Sequence, residues 1–227
     1  MTKPSFDAFT FGRLLKASLL AGLLSLMLLS FAPIPAAAVE SEACGTSVMQ
    51  MGMRAVGAGF RLGAQYMDPH YRGYRKPVRQ EGYGTVYIQH TGRDFIKSIG
   101  TPVRAVAPGR VAYNTRGTPG QPASKFTFIR GSGVTWAYGH ILPAVRVGQS
   151  IRPGQLIGYI ANPRGMFPPH VHIGAITLPY PTRNRAVNAA MNAGRAFGRT
   201  PGQAAANARR YTMDPLRAFA RAEGRRC

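Results

Sequence analysis

The chain has 227 residues, 45% of them hydrophobic and 16% charged, which excludes disordered and fibrous classes and fits one ordinary globular domain. Its formal charge of +21 and pI near 11.3 come almost wholly from arginine, so the surface favours anionic surroundings without naming a partner.

At the N-terminus, Lys3, Arg13 and Lys16 precede an apolar run from Ala17 to Ala32 that leads to Ala36-Ala37-Ala38. This is the pattern of a signal peptide over residues 1–38, cleaved after Ala38. An uncleaved anchor helix is the competing reading. Against it, the run is shorter than the ~20 residues a bilayer requires and is followed by Pro33 and Pro35. Either way the working part is expected to be exported, periplasmic or extracellular. Cleavage takes away three cations and Asp7, leaving 189 residues with a charge of +19, enough for one substantial core in a soluble product. Cell-wall polymers, anionic lipids and released nucleic acid are the polyanions outside a bacterial cytoplasm.

The two cysteines are Cys44 and Cys227, and export makes a disulfide between them chemically possible. Closing so long a loop would stabilise the fold by up to about 5 kcal/mol in the chain-entropy model. Lipid attachment to Cys44 is disfavoured by the polar Ser41-Glu42-Ala43 that precedes it.

Residues 39–82 read as an N-terminal helix and a connector. Met49, Met51, Met53, Val56, Phe60 and Leu62 recur at roughly helical spacing after Thr46 and Ser47, which can cap a helix start. From Asp68 to Pro77 the chain reads as irregular. Residues 83–178 then carry short runs of Val, Ile, Tyr, Phe and Thr between Gly and Pro turns, the texture of an antiparallel β domain. The expected strands are Thr85 to Gln89, Val103 to Val106, Arg110 to Thr115, Lys125 to Arg130, Val134 to Tyr138, Ala144 to Val147, Gln155 to Ile160 and His170 to Ile176. Residues 179–213 read as a basic helical insertion, with helix formers from Ala186 to Phe197 and from Gln203 to Arg210. Residues 214–227 close the domain in a basic tail. The expected fold is mainly β, an antiparallel sandwich or barrel-like domain with an N-terminal helix and a C-terminal helical, basic extension.

Between Tyr83 and Met213 there is one carboxylate, Asp94, and there are four histidines, His90, His140, His170 and His172, all in or beside expected strands. His170 and His172 have strand spacing, so both imidazoles leave one face of the sheet while Val171 leaves the other. His90 and Asp94, four apart, return to one face if the segment stays extended. Together these groups offer the neutral nitrogens and anionic oxygen that zinc prefers. A closed structural site would use four of them. A catalytic site would use three plus water, leaving the surplus histidines for proton transfer.

The run His90-Thr91-Gly92-Arg93-Asp94-Phe95, with Gly100-Thr101-Pro102-Val103 and Pro108-Gly109-Arg110-Val111, resembles the opening motif of lysostaphin-type zinc endopeptidases. Tyr138-Gly139-His140-Ile141, the turn-rich segment from Val147 to Gly158, Pro169-His170-Val171-His172 and Asp214-Pro215-Leu216 resemble that family's later segments, in order. The resemblance implies a zinc metalloendopeptidase acting on peptidoglycan stem peptides or cross-links. It implies His90, Asp94 and His172 as Zn2+ ligands, with His140 and His170 as catalytic groups that activate water or stabilise the oxyanion. Where the family has a Gly/Ser/Thr-rich loop before the closing motif, this chain has the stiffer, more apolar stretch from Ala161 to Pro168. The insertion could flank the cleft, cover it or grip an anionic wall polymer or membrane surface; no specific nucleic acid is implied, and the oligomeric state stays open.

Three other readings compete. One is a catalytically silent wall-binding or hydrolase-activating member of the same fold, against which all five polar positions are retained. A biotinyl or lipoyl carrier would need a lysine on the Val147–Gly158 segment, which has none. A secreted polyanion-binding protein would use Phe126, Phe128, Trp136 and Tyr138 for stacking, although strand aromatics of this kind are normally core.

Overall fold

The computed structural model describes residues 46–80 and 83–225. The signal-peptide reading and both cysteines lie outside the described residues. Among the described residues no helix is long and apolar enough to cross a membrane.

Helix α1 (Val48–Val56) starts at Ser47, whose hydroxyl accepts from the Gln50 backbone N–H at 3.1 Å while the Gln50 side chain accepts from the Ser47 N–H at 3.1 Å. This reciprocal capping satisfies two N–H groups that the first turn cannot pair internally. Met51, Ala55 and Val56 on one side of α1 are buried in the main core.

Fourteen strands follow among the described residues. They are β1 (Arg61–Leu62), β2 (Val78–Gln80), β3 (Gly84–His90), β4 (Gly92–Ile96), β5 (Pro102–Arg104), β6 (Gly109–Asn114) and β7 (Phe126–Gly131), then β8 (Val134–Gly139), β9 (Ile141–Pro143), β10 (Ser150–Ile151), β11 (Leu156–Ile160), β12 (His170–Ile176), β13 (Arg195–Gly198) and β14 (Thr212–Met213). The main antiparallel sheet runs β1-β4-β12-β8-β7-β6-β10, with β14 pairing the end of β12; β5-β11-β9 and β13-β3-β2 form two smaller sheets.

Side-chain alternation sorts the main sheet into two faces. Val171, Ile173 and Ala175 of β12 join Trp136, Tyr138 and Ile129 in the larger core, together with Val103, Ile141, Ile157 and Ile160 from the β5-β11-β9 side. Helix α4 (Pro215–Ala222), capped by the Asp214 carboxylate, adds Leu216 and Phe219. On the opposite face, Phe126, Phe128, Ala137 and Ile176 are covered by Tyr180 and by Val187, Ala190 and Met191 of helix α2 (Arg185–Asn192).

The buried Tyr138 hydroxyl accepts the Val106 backbone N–H at 2.9 Å, tying β8 to the loop after β5. Removing that hydroxyl strands a buried N–H, so Tyr138→Phe should lower the unfolding free energy by about 1–3 kcal/mol, read as a fall in urea midpoint at unchanged m-value.

Two expectations are corrected here. Ala144 to Val147 is not a strand; the residues form a bend and turn after β9. The run from Ala186 to Phe197 is not one helix, because α2 ends at Asn192 and β13 follows at once, adding an edge strand to β3. Helix propensity yields there to the unpaired edge that β3 offers. Helix α3 (Pro201–Tyr211) then forms under a Thr200 cap, close to where the second helical run was expected.

Candidate metal centre and its cleft

Strand β12 is flanked by β4 on one edge and β8 on the other, and the register decides what meets His172. Asp94 lies opposite His172 on β4, and Gly139 lies opposite it on β8. Directly opposed residues on one face of an antiparallel pair bring their side chains together. His170 leaves the same face of β12, and His140 follows immediately after β8. His90 ends β3, and the chain passes through Thr91 into β4, which sets His90 beside Asp94.

His90 Nε2, His172 Nδ1 and Asp94 Oδ1 form a tight triangle. The two nitrogens are 3.0 Å apart, and the carboxylate oxygen lies 3.2 Å from His90 and 3.0 Å from His172. All three residues are buried, and together they could hold a metal ion. Ligands 2.0–2.1 Å from a tetrahedral zinc lie roughly 3.3 Å from one another, so the triangle fits such an ion with little adjustment.

Orientation of the rings is fixed from behind. His90 Nδ1–H donates to the Gln65 carbonyl at 2.8 Å, which leaves Nε2 as the free lone pair. Gln65 is itself held by Arg93, whose guanidinium donates to the Gln65 side-chain oxygen at 2.5 Å and grips both Asp214 oxygens at 2.8 and 2.7 Å. His172 is positioned differently. Its Nε2 is buried and meets no hydrogen-bond partner among the described residues, and its ring is wedged by the backbones of Gly92 and Gly194.

His140 and His170 face this triangle from the other side. Their rings meet edge to face at 4.5 Å, and His170 Nε2 lies 3.5 Å from the second Asp94 oxygen. His140 Nδ1–H donates to the Ala123 carbonyl at 2.5 Å and His170 Nδ1–H to the Pro168 carbonyl at 2.7 Å. Each bond occupies Nδ1, so Nε2 is the ring nitrogen left for the site. His140 holds a left-handed backbone, φ 62°, uncommon for a non-glycine residue and a form of local strain that clusters at functional sites.

Electrostatics follow from burial. His140 is pushed down to about 3 by desolvation and then by the neighbouring His170, so it is a neutral base at ordinary pH. Burial likewise takes His172 down to about 4, against the hydrogen bond its ring donates to Asp94. Burial opposes ionisation of Asp94 too, but the His90 charge and the histidine hydrogen bonds hold its carboxyl well below the usual range. Burial disfavours charge on His90, yet Asp94 outweighs it and raises the imidazole above its ordinary value.

These groups line a cleft of about 440 Å³. One wall is the apolar loop anticipated before β12: Phe167 packs on His140 at 4.8 Å and on His170 at 5.2 Å between ring centroids. The opposite wall comes from the connector and the insertion. Tyr71 stacks on His90 at 4.6 Å, and Arg195 of β13, opposite His90 in the ladder, donates from Nε to the Tyr71 hydroxyl at 3.2 Å. Tyr71, Gln65, Arg195 and Gly194 carry no local sequence signal of this role, since they come from a segment that reads as irregular and one that reads as helix. His70, the remaining histidine of the chain, does not line the cleft.

Comparison with known proteins places this geometry. The model of peptidase family M23 matches residues 88–189. The chain is 30% identical to lysostaphin of Staphylococcus simulans over 117 residues, 48% of this chain and 22% of that protein. It is 29% identical over 115 residues to the DD-carboxypeptidase/endopeptidase Mpg of Neisseria meningitidis, covering 46% of this chain and 26% of the relative. It thus spans about a quarter of the length of these curated relatives. Among solved structures, a zinc-containing peptidase from Vibrio cholerae matches at 25% identity with a TM-score of 0.40, covering 52% of this chain and 34% of that one.

Proposed function

This chain belongs to peptidase family M23, and on that premise we propose that it is an exported zinc-dependent endopeptidase hydrolysing peptide bonds in peptidoglycan stem peptides or cross-links. The observation that carries the reading is the convergence of one carboxylate oxygen and two imidazole nitrogens, 3.0–3.2 Å apart, at a cleft where two further imidazoles are anchored through Nδ1 and keep Nε2 for the site. The relatives named as lysostaphin and as an endopeptidase support it at the level of the reaction.

His90, Asp94 and His172 are the residues that would hold zinc. Zinc in such a site supplies Lewis acidity toward a peptide carbonyl and makes water nucleophilic near neutral pH. The remaining work falls to the chain. His140, held neutral by burial, accepts the proton that attacking water must lose and delivers it to the departing amine. His170, fixed through Pro168, orients the water or the developing oxyanion beside it. Asp94 keeps its charge because the surrounding imidazoles stabilise the anion. Phe167 and the loop around it exclude solvent from one side of the cleft and offer an apolar contact to substrate.

The testing experiment is digestion of purified peptidoglycan by the mature chain, with and without a chelator and with zinc restored, followed by mass analysis of the fragments. Chelator-sensitive release of peptides, recovered on adding zinc, is the expected result and identifies the bond. Intact wall despite one zinc per chain would overturn the substrate assignment. Failure to bind zinc at all would replace the enzyme by a silent wall-binding module.

A further inference from the structure

The cleft wall opposite Phe167 is cationic. Arg72 of the connector, Arg79 of β2 and Arg195 of β13 all line it, whereas the one carboxylate lining the cleft among the described residues is Asp94, which is already engaged by three imidazoles. Arg195 is not a solvated surface arginine. It is half-buried, its Nε bonds the Tyr71 hydroxyl at 3.2 Å, and its guanidinium carbon lies 5.8 Å from the centre of the Tyr71 ring. Tyr71 in turn lies against His90. The layered order His90, Tyr71, Arg195 fixes a guanidinium beside the candidate metal centre, and its terminal nitrogens have no hydrogen-bond partner among the described residues. Ladder partners stand about 5 Å apart at Cα, so Arg195 and His90 are direct neighbours across the β13–β3 pair, with Tyr71 between their side chains.

We propose that Arg195, with Arg79 and Arg72 at the rim, forms a subsite for a carboxylate of the substrate peptide next to the bond that is cut. The proposal deepens the peptidase reading and rests on it for the identity of the ligand as a peptide. The physical case is that guanidinium pairs carboxylate in two parallel hydrogen bonds, a match that lysine or a neutral donor does not reproduce. Tyr71 adds selectivity. Its hydroxyl accepts from Arg195 and can still donate one hydrogen bond into the cleft. The carboxylate could be the free C-terminus of a peptide or an acidic side chain within it, and these two sources share the same recognition chemistry.

The test separates them and does not depend on turnover. The full chain, stripped of metal and checked by far-UV circular dichroism against the zinc-loaded chain, is titrated with four probes by NMR. These are acetyl-tetraalanine with a free C-terminus, its C-terminal amide, and amide-ended peptides with glutamate or glutamine at the third position. Charge-assisted hydrogen bonds predict that at least one carboxylate probe binds about 10-fold or more tightly than its neutral twin. That preference should collapse to about 2-fold in Arg195→Gln and shrink in Arg79→Gln, whose exposed strand position makes misfolding a small concern. Equal binding of carboxylate and neutral twins by the unmutated chain, or undiminished preference in both variants, overturns the subsite. A zinc-loaded chain that shows the preference and cuts no peptide would instead sink the peptidase reading while leaving the subsite standing.

Discussion

Asp94→Ala should abolish zinc binding and activity together, whereas His140→Ala should keep one zinc per chain and lower kcat by about 10²–10⁴-fold. The two residues face the same small volume, so the contrast tests their roles and not merely their proximity. Asp94 is the sole anion among the three candidate ligands, and its Oδ1 closes two edges of the triangle. Its loss leaves two imidazoles 3.0 Å apart without the anionic oxygen that completes the ligand set. His140 offers no atom to the triangle; its anchor is the Ala123 carbonyl, which belongs to neither β4 nor β12. Zinc content by elemental analysis and single-turnover cleavage of a wall-derived peptide separate the two effects. A His140→Ala chain that cuts at the unmutated rate would remove the general-base role assigned to it, and an Asp94→Ala chain that retains zinc would remove Asp94 from the ligand set.

The parts of this architecture legible in the sequence are those in which chemistry coincides with a period. His170 and His172 stand two apart in an apolar run, and a strand must put them on one face; the structure does so, with Val171 in the larger core. The helix start at Ser47 was legible because capping is local. What stayed hidden depends on pairing between distant segments. Nothing around Arg195 announces a strand, since Ala193, Ala196 and Phe197 sit in a stretch rich in helix formers. The strand exists because β3 has an open edge at Tyr87 to His90. The same holds for Tyr71, whose contact with His90 arises from a connector folding back over the end of β3. The five polar groups that converge at the cleft were therefore readable, while the wall formed by Tyr71 and Arg195 was not. It is assembled from the two segments with the weakest periodicity.

The glycines around His172 lead to the second large effect. Most metal-binding imidazoles are aimed by a hydrogen bond on the nitrogen that does not bind the metal, as His90 is through Gln65. Among the described residues His172 finds no such bond, so steric fit has to aim it. A methyl group on Gly194 would stand 2.6 Å from His172 Nε2 and 2.7 Å from Cε1, at a backbone with φ 64° that an L side chain adopts only under strain. A methyl group on Gly92 would collide with the same ring edge and stand 2.6 Å from the Ile173 carbonyl, which is backbone and cannot move aside. Gly194→Ala and Gly92→Ala should each cost about 1–3 kcal/mol of stability through overpacking, and more at Gly92. Because the displaced atom group is the ring itself, zinc affinity should also fall, by about 10–100-fold, the range seen when a ligand loses its outer support. Competition with a chromophoric chelator measures that fall, and a urea titration of the metal-free chain measures the stability cost separately. If Gly194→Ala destabilises the chain but leaves zinc affinity unchanged, the glycine wedge is only a packing feature. In that case His172 must be aimed by its ladder position opposite Asp94 alone.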